Sequence, residues 1–535
     1  MGTAQRRLVT PAEWRWAAAF AAAVMALTTA PYLAGVAAQT PEWRFGGHVI
    51  GVEDGNAYLA RMAQGARGAW RVTPVYTAEP QPGVWLYTFY VLLGKLAGPD
   101  HAARLLAFHA ARVVCGGLAL LVSYRFLAEF LPFIRQRRLG LVLVGLGGGL
   151  GWLLALTGQG GLLGSLPLDF FSPEAYTFLS LYALPHLAAS RALLLLGVLA
   201  YLRGRGVWAG LAWLGVALIQ PIHVLAIWAV AAMEMFLPYL SPPRSGEGAG
   251  RFRLRERWRV ALAAVALPAP VVVYTVAAFT LDPVLRAWNT QSHLSSPHPV
   301  HYLLGYALWL APGVCGWRVL QRRPALARWT AAWLATVPVL LYLPLPIQRR
   351  LAEGVQLPLV ILAVLGLTVA LRRRWLTRAV AGASAMTALF LVAGGWAAAS
   401  RPAPPIFHAA DQIAVFNWVT ARVEASGRQS MANRVPAGLG AYLTGNLLPA
   451  YTPLPAYLGL TTETVAFAEK RERVAAFFQP ETRDADRRRW LAEGGVRYVF
   501  IGPPERALGA FDPGSAPYLT RRFASGEYAV YEVLP

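Results

Sequence analysis

The sequence predicts an all-α polytopic membrane bundle of about eleven transmembrane helices, N-terminus inside and C-terminus outside, with a small C-terminal extracytoplasmic α/β domain. Three observations predict it. Of 535 residues, 56% are hydrophobic and only 14% charged, whereas a soluble domain carries about 25% charged residues. Apolar runs of membrane-spanning length recur from the N-terminus to Ser400,. Finally, short arginine runs punctuate every second loop, the pattern of cytoplasmic loops under the positive-inside rule,.

The net charge of +22 does not indicate a nucleic-acid binder. All of the 49 basic residues except Lys95 and Lys470 are arginine, and many cluster between apolar runs: Arg6-Arg7, Arg135 to Arg138, Arg203 and Arg205, Arg251 to Arg259, Arg322-Arg323 and Arg372 to Arg374. Charge placed this way sets topology, so no nucleic-acid partner is expected. Cys115 and Cys315 both sit in apolar segments and read as packing residues, since two such cysteines form no metal-ligand spacing,.

The first apolar run, about 16–38, is long enough to span and lacks a cleavage site, so it reads as a signal anchor,. Further spans are expected near 104–131, 139–157, 178–201, 207–220, 222–240, 260–281, 301–320, 329–346, 355–371 and 379–399. The run from Val207 to Leu240 is too long for one span and should turn at Gln220-Pro221. Residues 1–400 thus form the transmembrane domain, with a long first outer loop at 39–103. Arg401-Pro402-Ala403-Pro404-Pro405 is a stiff linker,, and 406–535 is a soluble domain with near-balanced charge. There, Gly495 to Gly502 and Tyr528 to Val533 read as strands, and Ala466 to Phe478 and Asp484 to Glu493 as helices,. The stretch Ser241 to Gly250 is a low-complexity loop.

Glu53 and Asp54 lie in that first outer loop, close after a membrane span. Carboxylates beside a bilayer are costly and tend to be retained for chemistry. A short amphipathic helix on the membrane surface is expected after them, with apolar Tyr58, Leu59 and Met62 alternating with Arg61 and Gln64,. One of the pair would act as general base towards an acceptor hydroxyl, and the two are the only candidates for a divalent metal. The alternative is that the pair caps the following helix. Glu79 lies in the irregular segment Thr73 to Gly83 of the same loop.

A second outer loop, about 158–177, carries Asp169 and Glu174 and leads to His186 and Arg191 inside a span. Glu174, His186 and Arg191, with His223 past the turn at Pro221 and with Glu79 and Glu353, form a possible pocket; His109 and Arg112 in the second span pose the same question,. The bland alternative is polar packing between helices. Arg349-Arg350 break the charge rule, because this loop is expected outside, where arginine is disfavoured,. An anion would explain them, since the planar guanidinium matches phosphate with two parallel hydrogen bonds. Otherwise they snorkel to headgroups or pair with nearby Glu353. His298 and His301 begin the next span in a rigid Ser296-Pro297-His298-Pro299 segment.

The arrangement resembles the GT-C superfamily of integral membrane glycosyltransferases, which includes protein O-mannosyltransferases, oligosaccharyltransferases and the aminoarabinose transferase of lipid A. The likeness is carried by the acidic pair in the first long outer loop, about eleven spans and an outer C-terminal domain. It implies a general base in that loop, at Asp54 with Glu53 beside it, and a polyprenyl-phosphate sugar donor whose phosphate Arg349 and Arg350 hold. The Glu-Asp order departs from the usual Asp-Asp or Asp-Glu, leaving the choice of base open. The Trp-Trp-Asp signature of oligosaccharyltransferases is missing, which argues against transfer of a whole oligosaccharide to Asn. The expectation is a bacterial inner-membrane enzyme that moves a sugar, with inversion, to a lipid, glycan or protein acceptor in the envelope. The rivals are a transporter or lipid flippase, and an inactive scaffold of the same build.

Overall fold

The computed structural model describes residues 9–239, 250–425 and 436–534. The Arg6-Arg7 pair and residues 241–249 of the low-complexity loop lie outside the described residues. All eleven apolar runs are helical, although several are broken. Six helices are long and apolar enough to cross a membrane: Pro11–Ala37, His101–Phe130, Pro185–Leu202, Pro299–Leu320, Gln348–Ala370 and Arg374–Ala399. Arg255–Ala266 and Ala269–Leu281 make a seventh if the pair, bent by 47°, is one span. The protein is integral to a membrane.

The remaining runs are shorter or split. The expected span at 139–157 divides into Ile134–Leu146 and Gly151–Leu156, and 178–201 into Thr177–Ala183 and Pro185–Leu202. The Val207-to-Leu240 run breaks at Gln220 into Gly206–Ile219 and Pro221–Phe236. In the last two the second helix opens with proline at its first position, Pro185 and Pro221, where the missing N–H leaves no bond unmade,.

The chain divides into two compact units: residues 1–30, 109–275 and 293–394 form the first, and 31–108, 276–292 and 395–535 the second. In the first, Pro299–Leu320 and Gln356–Leu365 pack backbone to backbone. Gly316 lies against the carbonyl of Leu362 and Gly366 against that of Pro312, so a Cβ at either would collide. Small residues of this kind let membrane helices approach closely. Asp169 fixes the break between the helices ending at Leu146 and starting at Gly151: its Oδ2 accepts from the N–H of Gly149 (2.8 Å) and Gly151 (3.2 Å) and from Thr387 (2.6 Å). Arg112 donates to Thr28 and Thr29 at 3.1 and 2.8 Å, which makes it a helix-packing contact. Cys115 and Cys315 are both free thiols.

The second unit holds a four-stranded sheet in the order β3-β4-β6-β5, from Ala437–Leu439 (β3), Val496–Ile501 (β4), Leu519–Ser525 (β5) and Tyr528–Val533 (β6). The β3–β4 pair is parallel, the others antiparallel. Alternate residues serve two cores. Val499, Ile501 and Tyr531 meet the helices Phe467–Phe477 and Asp484–Glu493, while Tyr498, Phe500 and Val530 meet Ala410–Ala425 and Tyr442–Tyr451.

Residues of the first loop pack into this C-terminal segment. Trp43–Phe45 (β1) pairs antiparallel with Phe407–Ala409 (β2) across His408, and Ala57 and Tyr76 of the first loop complete one of its cores. His408 is 5% exposed. Burial, and then the neighbouring His101, push its imidazole down to about 4 from the ordinary 6.5. A lowered histidine pKa means that the fold prefers the neutral ring. That stabilisation is complete above about pH 6.5 and is lost as the pH falls through about 4. The thermal midpoint in detergent should therefore drop between neutral pH and about pH 4.5, with up to about 3 kcal/mol at stake. The His408→Gln variant should show a flatter profile over the same window.

Candidate functional site

The candidate residues fall into two groups, one in each unit. In the second unit, Glu53 and Asp54 stand in the first turn of the helix Val52–Ala66. They are not its side-chain cap. The cap position is Gly51, in the left-handed region at φ 60°, and no side chain bonds there. Only glycine enters that region without strain, so Gly51 sets the direction in which the helix starts.

The two carboxylates have different surroundings. Glu53 is half-buried and accepts a hydrogen bond from the Tyr442 phenol at 2.6 Å. Asp54 is exposed. Beyond them the helix departs from the amphipathic surface helix expected from sequence. Arg61 and Gln64, expected to face water, are 1% and 9% exposed. Arg61 forms an ion pair with Glu463 and lies over the rings of Tyr87 (4.8 Å) and Tyr76 (5.6 Å). Gln64 satisfies both backbone groups of Thr73, at 3.0 and 2.9 Å. Asn56 donates to Asn446 at 2.8 Å. Protein surrounds this helix because its polar side chains have buried partners.

Glu79 is also engaged, pairing with Lys470 at 2.7 Å. Its burial opposes ionisation, but the Lys470 charge and the bonds from Lys470 and Thr77 hold the carboxyl below the usual range. That marks a structural clasp rather than a pocket group.

In the first unit, Arg349 and Arg350 stand on the 3-10 turn Gln348–Ala352, which leads into the helix Gln356–Leu365. Both are half-buried. The Arg349 guanidinium lies 4.3 Å from the Phe171 ring centre, and the residue's backbone N–H donates to the Leu294 carbonyl at 3.1 Å. Neither arginine pairs with Glu353, as one sequence alternative held, and neither forms any salt bridge among the described residues.

Glu353 belongs instead to Arg191, in a two-pronged bond of 2.6 and 2.9 Å buried on both sides. Arg191 also donates to the carbonyls of Pro173 and Glu174, at 2.9 and 3.0 Å. His223 Nε2 lies 3.6 Å from Glu353, and its Nδ1 is 3.0 Å from Ser190 Oγ. This knot holds the arginine turn three residues before Glu353. Around it, Glu174 attracts Arg349, and Arg350 acts electrostatically on His186 and His223. Of the sequence-selected pocket residues, Glu174, His186, Arg191, His223 and Glu353 are thus brought together with the arginine pair. His301, at 2.9 Å from the Leu162 carbonyl, and His298, which caps its own helix, are structural.

Among the described residues, no group of three or more His, Cys, Asp or Glu side chains gathers that could hold a metal ion. Glu53 and Asp54 alone make an incomplete ligand set.

No family model matches the chain, and no curated protein matches it by sequence. Solved structures do match. The oligosaccharyltransferase AglB of Archaeoglobus fulgidus, in complex with an inhibitory peptide and a dolichol-phosphate, gives a TM-score of 0.52 at 14% identity over 91% of this chain and 69% of that one. The apo form of the Archaeoglobus fulgidus oligosaccharyltransferase gives 0.51 at 14% identity, over 96% and 74% of the two chains. ArnT from Cupriavidus metallidurans, bound to undecaprenyl phosphate, gives 0.50 at 14% identity and spans 97% of this chain and 98% of its own. The chain has the GT-C fold.

Within the GT-C fold, the residues that sequence reading missed are those that arrive from the C-terminal segment: Tyr442, Asn446 and Glu463. None had a local signal. Tyr442 lies 389 positions from Glu53, and Glu463 lies 402 from Arg61. An isolated Tyr or Glu in a soluble-looking stretch reads as ordinary surface.

Proposed function

We propose that this GT-C chain is a glycosyltransferase that moves a sugar from a polyprenyl-phosphate-linked donor to an envelope acceptor, with inversion at the anomeric carbon. The reaction takes place on the extracytoplasmic face of the bacterial inner membrane. One observation carries the reading: Arg349 and Arg350 are half-buried guanidiniums that form no salt bridge among the described residues, Glu174 acting on Arg349 only from beyond salt-bridge distance. Desolvated charge without a directly paired counter-ion is expensive, and an anionic ligand lowers the cost. The likeness over nearly the full length of ArnT bound to undecaprenyl phosphate supports a lipid phosphate as that anion.

The chemistry needs few groups. The Asp54 carboxylate takes the proton of the acceptor hydroxyl or amine as its oxygen or nitrogen attacks the anomeric carbon. The bond from that carbon to the phosphate oxygen breaks, and its electron pair leaves with the polyprenyl phosphate. The leaving group gains a negative charge, of the kind that the guanidiniums of Arg349 and Arg350 neutralise. Glu174, His186 and His223 border the same arginines. A translocation path is the weaker reading, because the Arg191–Glu353–His223 group is closed on itself by 2.6–3.6 Å contacts.

Binding of polyprenyl phosphate to the purified protein, with no acceptor present, tests this reading. Hydrogen bonds to charged groups contribute about 1.5–3 kcal/mol, so Arg349→Ala or Arg350→Ala should weaken binding roughly 10- to 100-fold. Asp54→Asn should leave it within about twofold. Equal binding by both arginine variants and the wild type would remove the basis of the proposal.

A further inference from the structure

We propose that Tyr442 is a positioning residue of the acidic site: its phenol holds Glu53, leaving Asp54 as the group that takes the acceptor proton. The inference rests on the glycosyl-transfer reading and deepens it, because it brings the C-terminal segment into the reaction's machinery.

The hydrogen bond is held from both ends. On one side, Glu53 rides on a helix whose Asn56 and Arg61 are tied to Asn446 and Glu463. On the other, the helix Tyr442–Tyr451 is seated by three contacts. Buried Glu505 accepts from the Ala441 N–H at 2.8 Å at its start, Tyr76 donates to the Asn446 carbonyl at 3.0 Å, and Phe467 packs edge-on to Tyr442 at 5.9 Å. The phenol oxygen also lies 3.3 Å from Thr461 Oγ1, which fixes its orientation. Positions 53, 56 and 61 lie on one side of the acidic helix, so the C-terminal segment grips that side along its length.

The chemistry follows from the donor. Burial first, and then the bond to Glu53, push the Tyr442 phenol up to about 12. It therefore stays protonated and donates through the whole working range. A carboxylate that accepts such a bond is stabilised as the anion and is a poorer base. The Glu53 oxygen that accepts this bond is thereby taken up, and the exposed Asp54 is left to take the acceptor proton. Tyr442 touches neither substrate nor reacting atoms; it acts only through Glu53.

Two readouts test this on the full-length protein in detergent. A 3-fluorotyrosine placed at 442 keeps the side chain's shape and reports by fluorine NMR whether the phenol is bonded to Glu53. At neutral pH the fluorine shift is expected to move in Glu53→Gln and to stay as in the wild type in Asp54→Asn. In parallel, Tyr442→Phe should lower kcat for sugar transfer up to about tenfold, with KM for the lipid donor within about twofold. In the Glu53→Gln background the same change should cost less than about twofold. A fluorine shift that Glu53→Gln leaves unmoved overturns the proposal whatever the activity. So does a Tyr442→Phe loss of equal size in both backgrounds, which marks a structural role, or no loss in the wild type. A wild-type protein whose shift responds to Glu53→Gln but that transfers no sugar upholds the Tyr442–Glu53 contact and refutes the glycosyl-transfer reading instead.

Discussion

Replacing Asp54 with Asn is expected to lower sugar transfer by about 10²–10⁴-fold, the usual cost of losing a general base. The amide keeps the shape of the side chain and cannot accept the proton. Asp54 sits in the first turn of a helix whose start is set by Gly51, so the substitution disturbs no cap. Being exposed, it should cost little stability,. Glu53→Gln should cost less, on the order of tenfold, because Glu53 is already bound by Tyr442 and acts on its neighbour,. Transfer rates of the purified variants, with unfolding midpoints measured beside them, check both expectations. A larger loss in Glu53→Gln than in Asp54→Asn would exchange the two roles.

The second large effect concerns stability. Arg191 and Glu353 are 1% and 0% exposed at their side chains and meet through two bonds. Removing one partner leaves the other charge buried without a counter-ion, which costs about 3–5 kcal/mol. Arg191→Met and Glu353→Leu should each lower the unfolding midpoint in detergent strongly. The double variant should recover most of the loss, since two apolar side chains leave no charge behind. Transfer should stay impaired in that double variant, because Glu353 anchors the turn that carries Arg349 and Arg350. Full activity in the double variant would show that the arginine turn does not depend on the pair.

Membrane helices were legible because their signal is local. Each expected span is a predominantly apolar run, and each is helical over most of its length even where it is broken. The strands Val496–Ile501 and Tyr528–Val533 and the helices Phe467–Phe477 and Asp484–Glu493 were legible for the same reason. Breaks within spans were not. The interruption after Leu146 depends on Asp169 capturing the Gly149 and Gly151 amides, a contact from about 20 residues away. The helix after Gly51 shows the limit most clearly. Its alternation of apolar residues with Arg61 and Gln64 is the pattern of a surface helix. It becomes buried only because Glu463 neutralises Arg61. Tyr442, which donates to Glu53, reaches it through tertiary structure alone.

The most direct test of the central claim is mass spectrometry of envelope glycans from a strain lacking this chain, complemented with the wild type or with Asp54→Asn. The account predicts that one glycoconjugate loses the mass of a defined sugar in the deletion strain. The wild type restores that mass and Asp54→Asn does not. An unchanged glycan profile in the deletion strain, or full restoration by Asp54→Asn, would contradict it.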